Sequence, residues 1–301
     1  MALRRSIHII LNPITGARQP GLLHAVIERL SRAGAVVTLE ETTGPGDATR
    51  LAREAVDRGE ADVVVAAGGD GTINEVARGL LGQSMPLGIV PLGTANVLAL
   101  ELGLRPRAGD IADMLLSGPA HLIGTGLVEG RIFLMMVGIG FDGVVVHAIN
   151  PLLKRWFGKG AFVWAGIKEW IKGPGRGVHL VVDGREKRAA WAVVVNGRYF
   201  AGPYILSRNG DISRPGLTLF LFRNGGRLAL IRYLIALGLG RVEKLSDVEV
   251  LPVRMARFIA PEGLEVEVDG DARGHLPQTI EQGTHFLRLV VPAGWKPEAE
   301  K

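Results

Sequence analysis

The sequence predicts two domains, an α/β half built on a parallel sheet followed by an all-β half of sandwich or barrel type. Three observations predict this. Up to about residue 120, apolar strand-like runs alternate with helical stretches, and the strands are apolar throughout, as in a parallel sheet covered on both faces. Beyond that point strand-like runs follow one another with turn residues between them. The chain also has 301 residues, 47 % of them apolar, which is more than one small core requires. The expected division is 1–125 for the α/β domain and 126–291 for the β-rich domain, with 292–301 packing back on the first. The two are expected to pack directly and to form a cleft.

In the first half, 6–11 (SIHIIL) reads as a buried strand and 12–16 as a turn. Residues 22–33 carry helical spacing at Leu23, Val26, Ile27 and Leu30. A strand at 36–40 precedes a helix at 47–58, with Asp47 as its N-cap. The run 62–67 (DVVVAA) is a continuous apolar strand, and 72–81 a third helix. A strand at 87–91 and a short helix at 95–102 complete the pattern. In the second half, strands are expected at 132–137, 179–182, 191–196, 217–222, 247–251, 254–260, 264–268 and 286–291, with one helix at 161–171.

Composition narrows the chemistry. The chain has no Cys, so disulfides and Cys-ligated zinc are excluded, and its seven His show no HxxxH or HxH pairing. A net charge of +5 and a pI near 9.7 favour anionic partners. No nucleic-acid motif accompanies that charge. No apolar run reaches transmembrane length, and 228–240 is broken by Arg232. Residues 1–5 run straight into a strand and are not expected to be a signal peptide.

The most informative segment is 66–75, AAGGDGTINE, between a buried strand and a helix. Gly68, Gly69 and Gly71 let the backbone turn sharply and bring bare N–H groups close to a ligand. The helix that follows aims its N-terminus at the same spot, a ready anion site. Two more loops lie where strands end: Asn12-Pro13-Ile14-Thr15-Gly16 and Pro91-Leu92-Gly93-Thr94-Ala95-Asn96. In an open parallel sheet that edge carries the ligands. None of the three is a GxxxxGK[ST] or GxGxxG loop, so the P-loop and dinucleotide fingerprints are absent.

In this order and spacing, NPxxG, GGDGTxNEV and PLGTxNxLA resemble the catalytic domain of the diacylglycerol kinase family. The match is closest to soluble bacterial lipid kinases related to sphingosine and ceramide kinases. Gly138-Ile139-Gly140-Phe141-Asp142 with Lys159-Gly160, and Val268-Asp269-Gly270-Asp271, resemble the family's second-domain signatures. The resemblance covers nearly the whole chain. It implies ATP bound by Asn12, Pro13, Gly16, Thr42, Gly68, Gly69, Asp70, Gly71, Thr72, Asn74, Glu75, Gly93, Thr94 and Asn96. Asp70 would lie near the phosphates and help to hold Mg²⁺. Asp271 would accept the acceptor's proton, with Asp269 and Asp70 as the other candidates, since the family commonly has Glu where this chain has the shorter Asp271. Asp142 could join an acidic network toward the metal or simply cap a turn. Many bacterial relatives carry an acidic loop that binds a structural magnesium. Here 212–218 reads ISRPGLT, with Asp211 the nearest carboxylate, so that second metal is expected to be absent or differently built.

Phosphoryl transfer needs positioning and charge neutralisation more than covalent help. A carboxylate within hydrogen-bond reach of a lipid hydroxyl could take its proton. Asp271 is also where an ordinary Asp-Gly hairpin turn would fall. Segments 151–159, 164–172 and 223–241 mix apolar, aromatic and basic residues and suit the headgroup region of a bilayer. The expectation is a cytoplasmic, peripherally membrane-associated lipid kinase, with a homodimer left open. The alternatives are a kinase of a soluble acceptor such as NAD, or a non-catalytic nucleotide-binding membrane sensor.

Overall fold

A computed structural model describes residues 3–17, 19–140 and 177–297. Several expectations lie outside these residues: Asp142, Lys159-Gly160, the helix at 161–171, and the Trp-rich segments 151–159 and 164–172. The chain divides into two compact units. One comprises Met1–Thr125, Ile212–Arg214 and Thr284–Lys301, the other Gly126–Asp211 and Pro215–Gly283.

The first unit is built on six strands in the order β2-β1-β3-β4-β20-β5. They are β1 (Ser6–Leu11), β2 (Val36–Glu41), β3 (Val63–Gly68), β4 (Leu87–Pro91), β5 (Ala120–Ile123) and β20 (Leu287–Val290). The first four run parallel, in the pairings β1–β2, β1–β3 and β3–β4. Val63 to Gly68 are buried without exception, as a strand covered on both faces must be. Helices α2 (Pro20–Arg32), α3 (Asp47–Arg58), α4 (Asp70–Leu80) and α6 (Ala108–Ser117) supply the cover, each burying one apolar stripe. The short helices α1 (Pro13–Gly16) and α5 (Val97–Glu101) open the loops after β1 and β4.

Two sequence expectations change here. The strand expected at 286–291 is β20, and it belongs to this sheet rather than to the all-β half. Its Leu287, Leu289 and Val290 are fully buried, between β4 on one side and antiparallel β5 on the other. Alternating burial alone does not say which sheet a strand joins. Asp47 does not cap its own helix, because Gly46 occupies the cap in the left-handed region. The Asp47 carboxylate instead accepts from Thr43 N–H and Oγ, at 2.9 and 3.0 Å, closing the turn before α3. The Thr43 amide and the Arg50 guanidinium hold that carboxyl below its usual range.

The second unit is a sandwich of two six-stranded sheets. One has the order β10-β9-β16-β19-β6-β7, from Arg185–Ala189, Val178–Val182, Met255–Ala260, Gln278–Gln282, Gly126–Val128 and Arg131–Phe133. The other has the order β15-β14-β11-β8-β17-β18, from Val248–Val253, Leu217–Phe222, Trp191–Val195, Met136–Ile139, Glu265–Val268 and Asp271–His275. Phe133, Val137, Ile139, Leu180, Leu219 and Phe258 lead the core between them. A two-stranded ribbon, β12 (Tyr199–Phe200) with β13 (Tyr204–Ile205), stands apart from both sheets. The single strand expected at 132–137 is two strands, β7 and β8, interrupted at Leu134 and Met135. The run 227–238, which carried no helix expectation, is a helix, α7 (Arg227–Gly238).

Candidate active site

The four parallel strands deliver their C-terminal loops to one edge of the sheet, and the backbone ladder continues into those loops. Thr42 N–H donates to Leu11 O, Asn12 N–H to Ala67 O, and Leu92 N–H to Gly68 O, at 2.9, 3.0 and 2.9 Å. The three loops singled out in the sequence therefore sit side by side, with Thr42 beyond the first.

Asn12 caps α1. Its Oδ1 accepts from Ile14 N–H at 3.1 Å and Thr15 N–H at 3.4 Å, while its Nδ2 donates to Thr72 Oγ1 at 3.1 Å. Pro13 fills the first helical position, where no N–H is required. Thr72 is buried at the start of α4. The N-cap of α4 is Gly69, which brings no side chain to the helix end. The first-turn amides of α4 thus form the positive end of an eleven-residue helix.

The glycines here answer to close approach. A Cβ on Gly93 would lie 2.6 Å from Gly69 Cα and 2.7 Å from Asn96 Oδ1, and one on Gly68 would lie 2.5 Å from Thr72 Oγ1. The second and third loops touch backbone to backbone. Asn96 takes the left-handed conformation (φ 48°) and donates from Nδ2 to Gly93 O at 2.9 Å. Glu75 faces the loop after β2, its Oε1 accepting from Gly46 N–H at 3.0 Å. Asn74 is buried, and Thr94 is exposed at the rim.

Asp70 has a role the sequence did not disclose. Its Oδ1 accepts from Val97 N–H at 2.8 Å, so the carboxylate of the second loop closes the N-terminus of α5 from the third. Among the described residues, no three His, Asp or Glu side chains gather into a group that could hold a metal by itself. The chemistry of the donor set fits a magnesium ion that arrives on nucleotide phosphates, since such ions commonly take only one or two protein carboxylates. Asp70, at the first position of α4 beside that helix end, is the carboxylate of this edge that could serve as such a ligand.

The second unit holds the other candidates. Asp269-Gly270 is a two-residue hairpin turn between β17 and β18, with φ of 49° and 89°, the geometry of a type I′ turn. Asp269 and Asp271 differ sharply in what they touch. Asp269 accepts three backbone amides, Leu134 N–H at 2.7 Å, Met135 N–H at 2.8 Å and Met136 N–H at 3.0 Å. That clamp interrupts the strand expected at 132–137. Buried Asn196 completes it by donating from Nδ2 to Leu134 O and from N–H to Met135 O, both at 2.8 Å. Glu267 is fully buried and accepts from Gly270 N–H. Asp271 keeps 43 % of its side-chain surface exposed, with Arg273 at 3.4 Å. Of the two, Asp269 is committed to the main chain and Asp271 reaches solvent. The sequence held the signal for the turn in its Asp-Gly pair, but nothing in it marked Asn196.

Comparison with known proteins agrees with this architecture. Residues 6–128 match the model of the diacylglycerol kinase catalytic domain, and residues 135–291 match that of the YegS C-terminal NAD kinase beta sandwich-like domain. The chain belongs to the diacylglycerol kinase family. Within that family it is 29 % identical to a diacylglycerol kinase of Bacillus subtilis (strain 168), over 94 % of this chain and 95 % of the relative. It is 31 % identical to a protein of Chromohalobacter salexigens named "Probable lipid kinase YegS-like", over 95 % and 93 %. A crystal structure of a Bacillus anthracis str. Sterne protein, assigned as a diacylglycerol kinase, superposes with a TM-score of 0.81. It is 23 % identical, covers 98 % of each chain, and speaks for the fold. NPxxG, GGDGTxNEV and PLGTxNxLA fall on the edge loops, and Val268-Asp269-Gly270-Asp271 on the DG hairpin described above.

Proposed function

We propose that the protein is an ATP-dependent lipid kinase, transferring a phosphoryl group to a hydroxyl of a membrane lipid of diacylglycerol-like or sphingoid-like type. The observation that carries this reading is the joined set of loops at the C-terminal edge of the parallel sheet, centred on the uncapped N-terminus of α4. Such an end favours bound phosphate through its dipole and first-turn amides. Family membership and the names of the relatives support the choice of reaction.

In this reading the first-turn amides of α4 take up triphosphate oxygens, and Thr72, Asn74 and Thr94 supply side-chain donors around them. Asp70 would help to hold Mg²⁺, an ion that would supply neutralisation of the charge developing on the phosphates. The acceptor's hydroxyl oxygen forms the new bond to the γ-phosphorus. The bond from that phosphorus to the bridging oxygen breaks, and ADP leaves with the electron pair. The hydroxyl proton passes to the Asp271 carboxylate. Asp271 suits that role because its side chain is 43 % exposed, whereas the Asp269 carboxylate is committed to three backbone amides.

The test is labelled ATP against a panel of diacylglycerol, sphingoid bases, NAD and no acceptor, with Asp271→Ala beside the parent chain. Label appearing in a lipid, and falling by about a hundredfold or more in the variant, supports the reading, in line with what a positioned base contributes. Label in NAD alone, or in no acceptor, overturns it. Full activity of Asp271→Ala removes the base assignment.

A further inference from the structure

Helix α7 is turned inside out for a helix that faces water. It reads RLALIRYLIALG and contains two Arg and no acid. Ala229, Tyr233 and Ala236 are its buried residues. Tyr233 packs edge-on against Phe222 and Trp191, with ring centroids 5.0 and 6.0 Å apart. Its hydroxyl donates to Asp247 Oδ2 at 2.6 Å. The large aliphatics point the other way. Leu228 is 83 % exposed, and Ile231, Leu234, Ile235 and Leu239 are 41 to 61 % exposed. Their spacing of three and four residues gathers them on one outward stripe.

We infer that α7 is a membrane-docking element, whose aliphatic stripe enters the headgroup and upper acyl region of an anionic bilayer. The charge around the helix fits that partner. Arg227 and Arg232 lie on it, Arg223 and Arg241 flank it, and all four are exposed. Arg208 donates to Gly240 O just past its C-terminus, at 2.7 and 2.9 Å. The acids nearby are already engaged: Asp247 with Arg232 and Tyr233, Glu249 with Arg223 and Lys187, and Glu243 with the Arg208 amide. Aliphatic residues with arginine at their margin are the composition of interfacial helices. A second copy of the chain is the weaker occupant. The stripe exposes about three residues' worth of aliphatic side chain, on the order of 200–400 Å² at the usual energy per area. A stable interface buries about 800 Å² per partner. The inference deepens the lipid-kinase reading by naming how the protein reaches its acceptor, but its evidence does not depend on turnover.

The experiment is co-sedimentation of the full chain with vesicles of phosphatidylcholine alone and of phosphatidylcholine with 30 % phosphatidylglycerol (about that fraction gives a strongly negative surface). The Leu228→Asn/Leu234→Asn/Leu239→Asn variant is run beside it, and light scattering and thermal melting are recorded for both. The parent is expected to bind the anionic vesicles more strongly, and the variant to bind at least about tenfold more weakly while melting as the parent does. Arg227→Glu, which leaves the aliphatics in place, should weaken anionic binding alone. Equal vesicle binding by parent and triple variant overturns the inference. So does a parent that is dimeric, with a triple variant that is monomeric and binds vesicles unchanged. A short-chain diacylglycerol dispersed below its micellar concentration separates this from the kinase reading. A variant active on that acceptor but inactive on vesicles supports both. A parent that binds vesicles and phosphorylates no lipid sinks the kinase reading and leaves the docking helix standing.

Discussion

The Asn12 side-chain amide donates to Thr72 Oγ1 at 3.1 Å, and the same side chain's oxygen caps the helix of its own loop. One residue thus locks the loop after β1 to the first turn of α4. Asn12→Asp keeps the acceptor for Ile14 and Thr15 but removes the donor to Thr72 and adds a negative charge beside the proposed phosphate site. Its melting temperature should stay near the parent's, and its affinity for magnesium–ATP should fall about tenfold or more in calorimetric titration. Asn12→Ala should in addition lose about 1 kcal/mol of stability with the cap.

Gly93→Ala tests the contact between the second and third loops. The added methyl would stand 2.6 Å from Gly69 Cα, a backbone atom with no rotamer to escape into. The loops must separate, at a cost of about 1–3 kcal/mol. Denaturant unfolding should show that loss, and nucleotide binding should weaken with it. Gly69→Ala, whose Cβ would meet Gly93 Cα at 3.4 Å, should be milder.

Asp269→Asn and Asp271→Asn should fail in different ways. Asn accepts the left-handed backbone that Asp269 adopts. Yet its amide group must face one of the Leu134, Met135 or Met136 N–H groups that now donate to a carboxylate. The expected result is a loss of about 1.5–3 kcal/mol by denaturant unfolding. Asp271→Asn should melt near the parent and lose turnover. An Asp269 variant as stable as the parent would remove the clamp from this account.

Stability should fall with acid on account of His8. The ring is buried in β1, and desolvation lowers its pKa from 6.5, against the opposing pull of Glu40 at 3.7 Å. A base with a depressed folded-state pKa is most stabilising above its unfolded value. The unfolded chain takes up the proton first as pH falls, so stability declines from about pH 6.5 downward until the folded-state pKa is passed. Unfolding free energies measured from pH 7.5 to 5 should show this slope, and His8→Gln should flatten it. An unchanged slope would place the effect elsewhere.

Much of the first unit was legible in the sequence because its signals are local. A parallel strand covered on both faces is apolar throughout, as Val63–Gly68 is, and the glycines of GGDGT between strand and helix mark a sharp turn into a helix N-terminus. What escaped the reading is non-local. The commitment of the Asp70 oxygen to Val97 N–H joins residues 27 apart, and the sheet that receives β20 depends on partners far away in sequence. Helix α7 was missed for a different reason. Its apolar residues lie on both faces, so the one-sided periodicity that marks a water-facing helix is absent. The DG pair announced a turn, but not which of its flanking carboxylates the main chain would claim.

The placement of β20 also sets the order in which the molecule can be finished. Between β4 and β5 the sheet of the first unit leaves a slot that Leu287–Val290 fills, so synthesis must pass residue 290 before that sheet can close. A fragment ending at Thr125 would present a bare, apolar strand edge, the kind of template on which chains aggregate. Cutting the gene at the obvious domain boundary should therefore yield an insoluble α/β half, whereas joining 284–297 to residue 125 through a short linker should restore it.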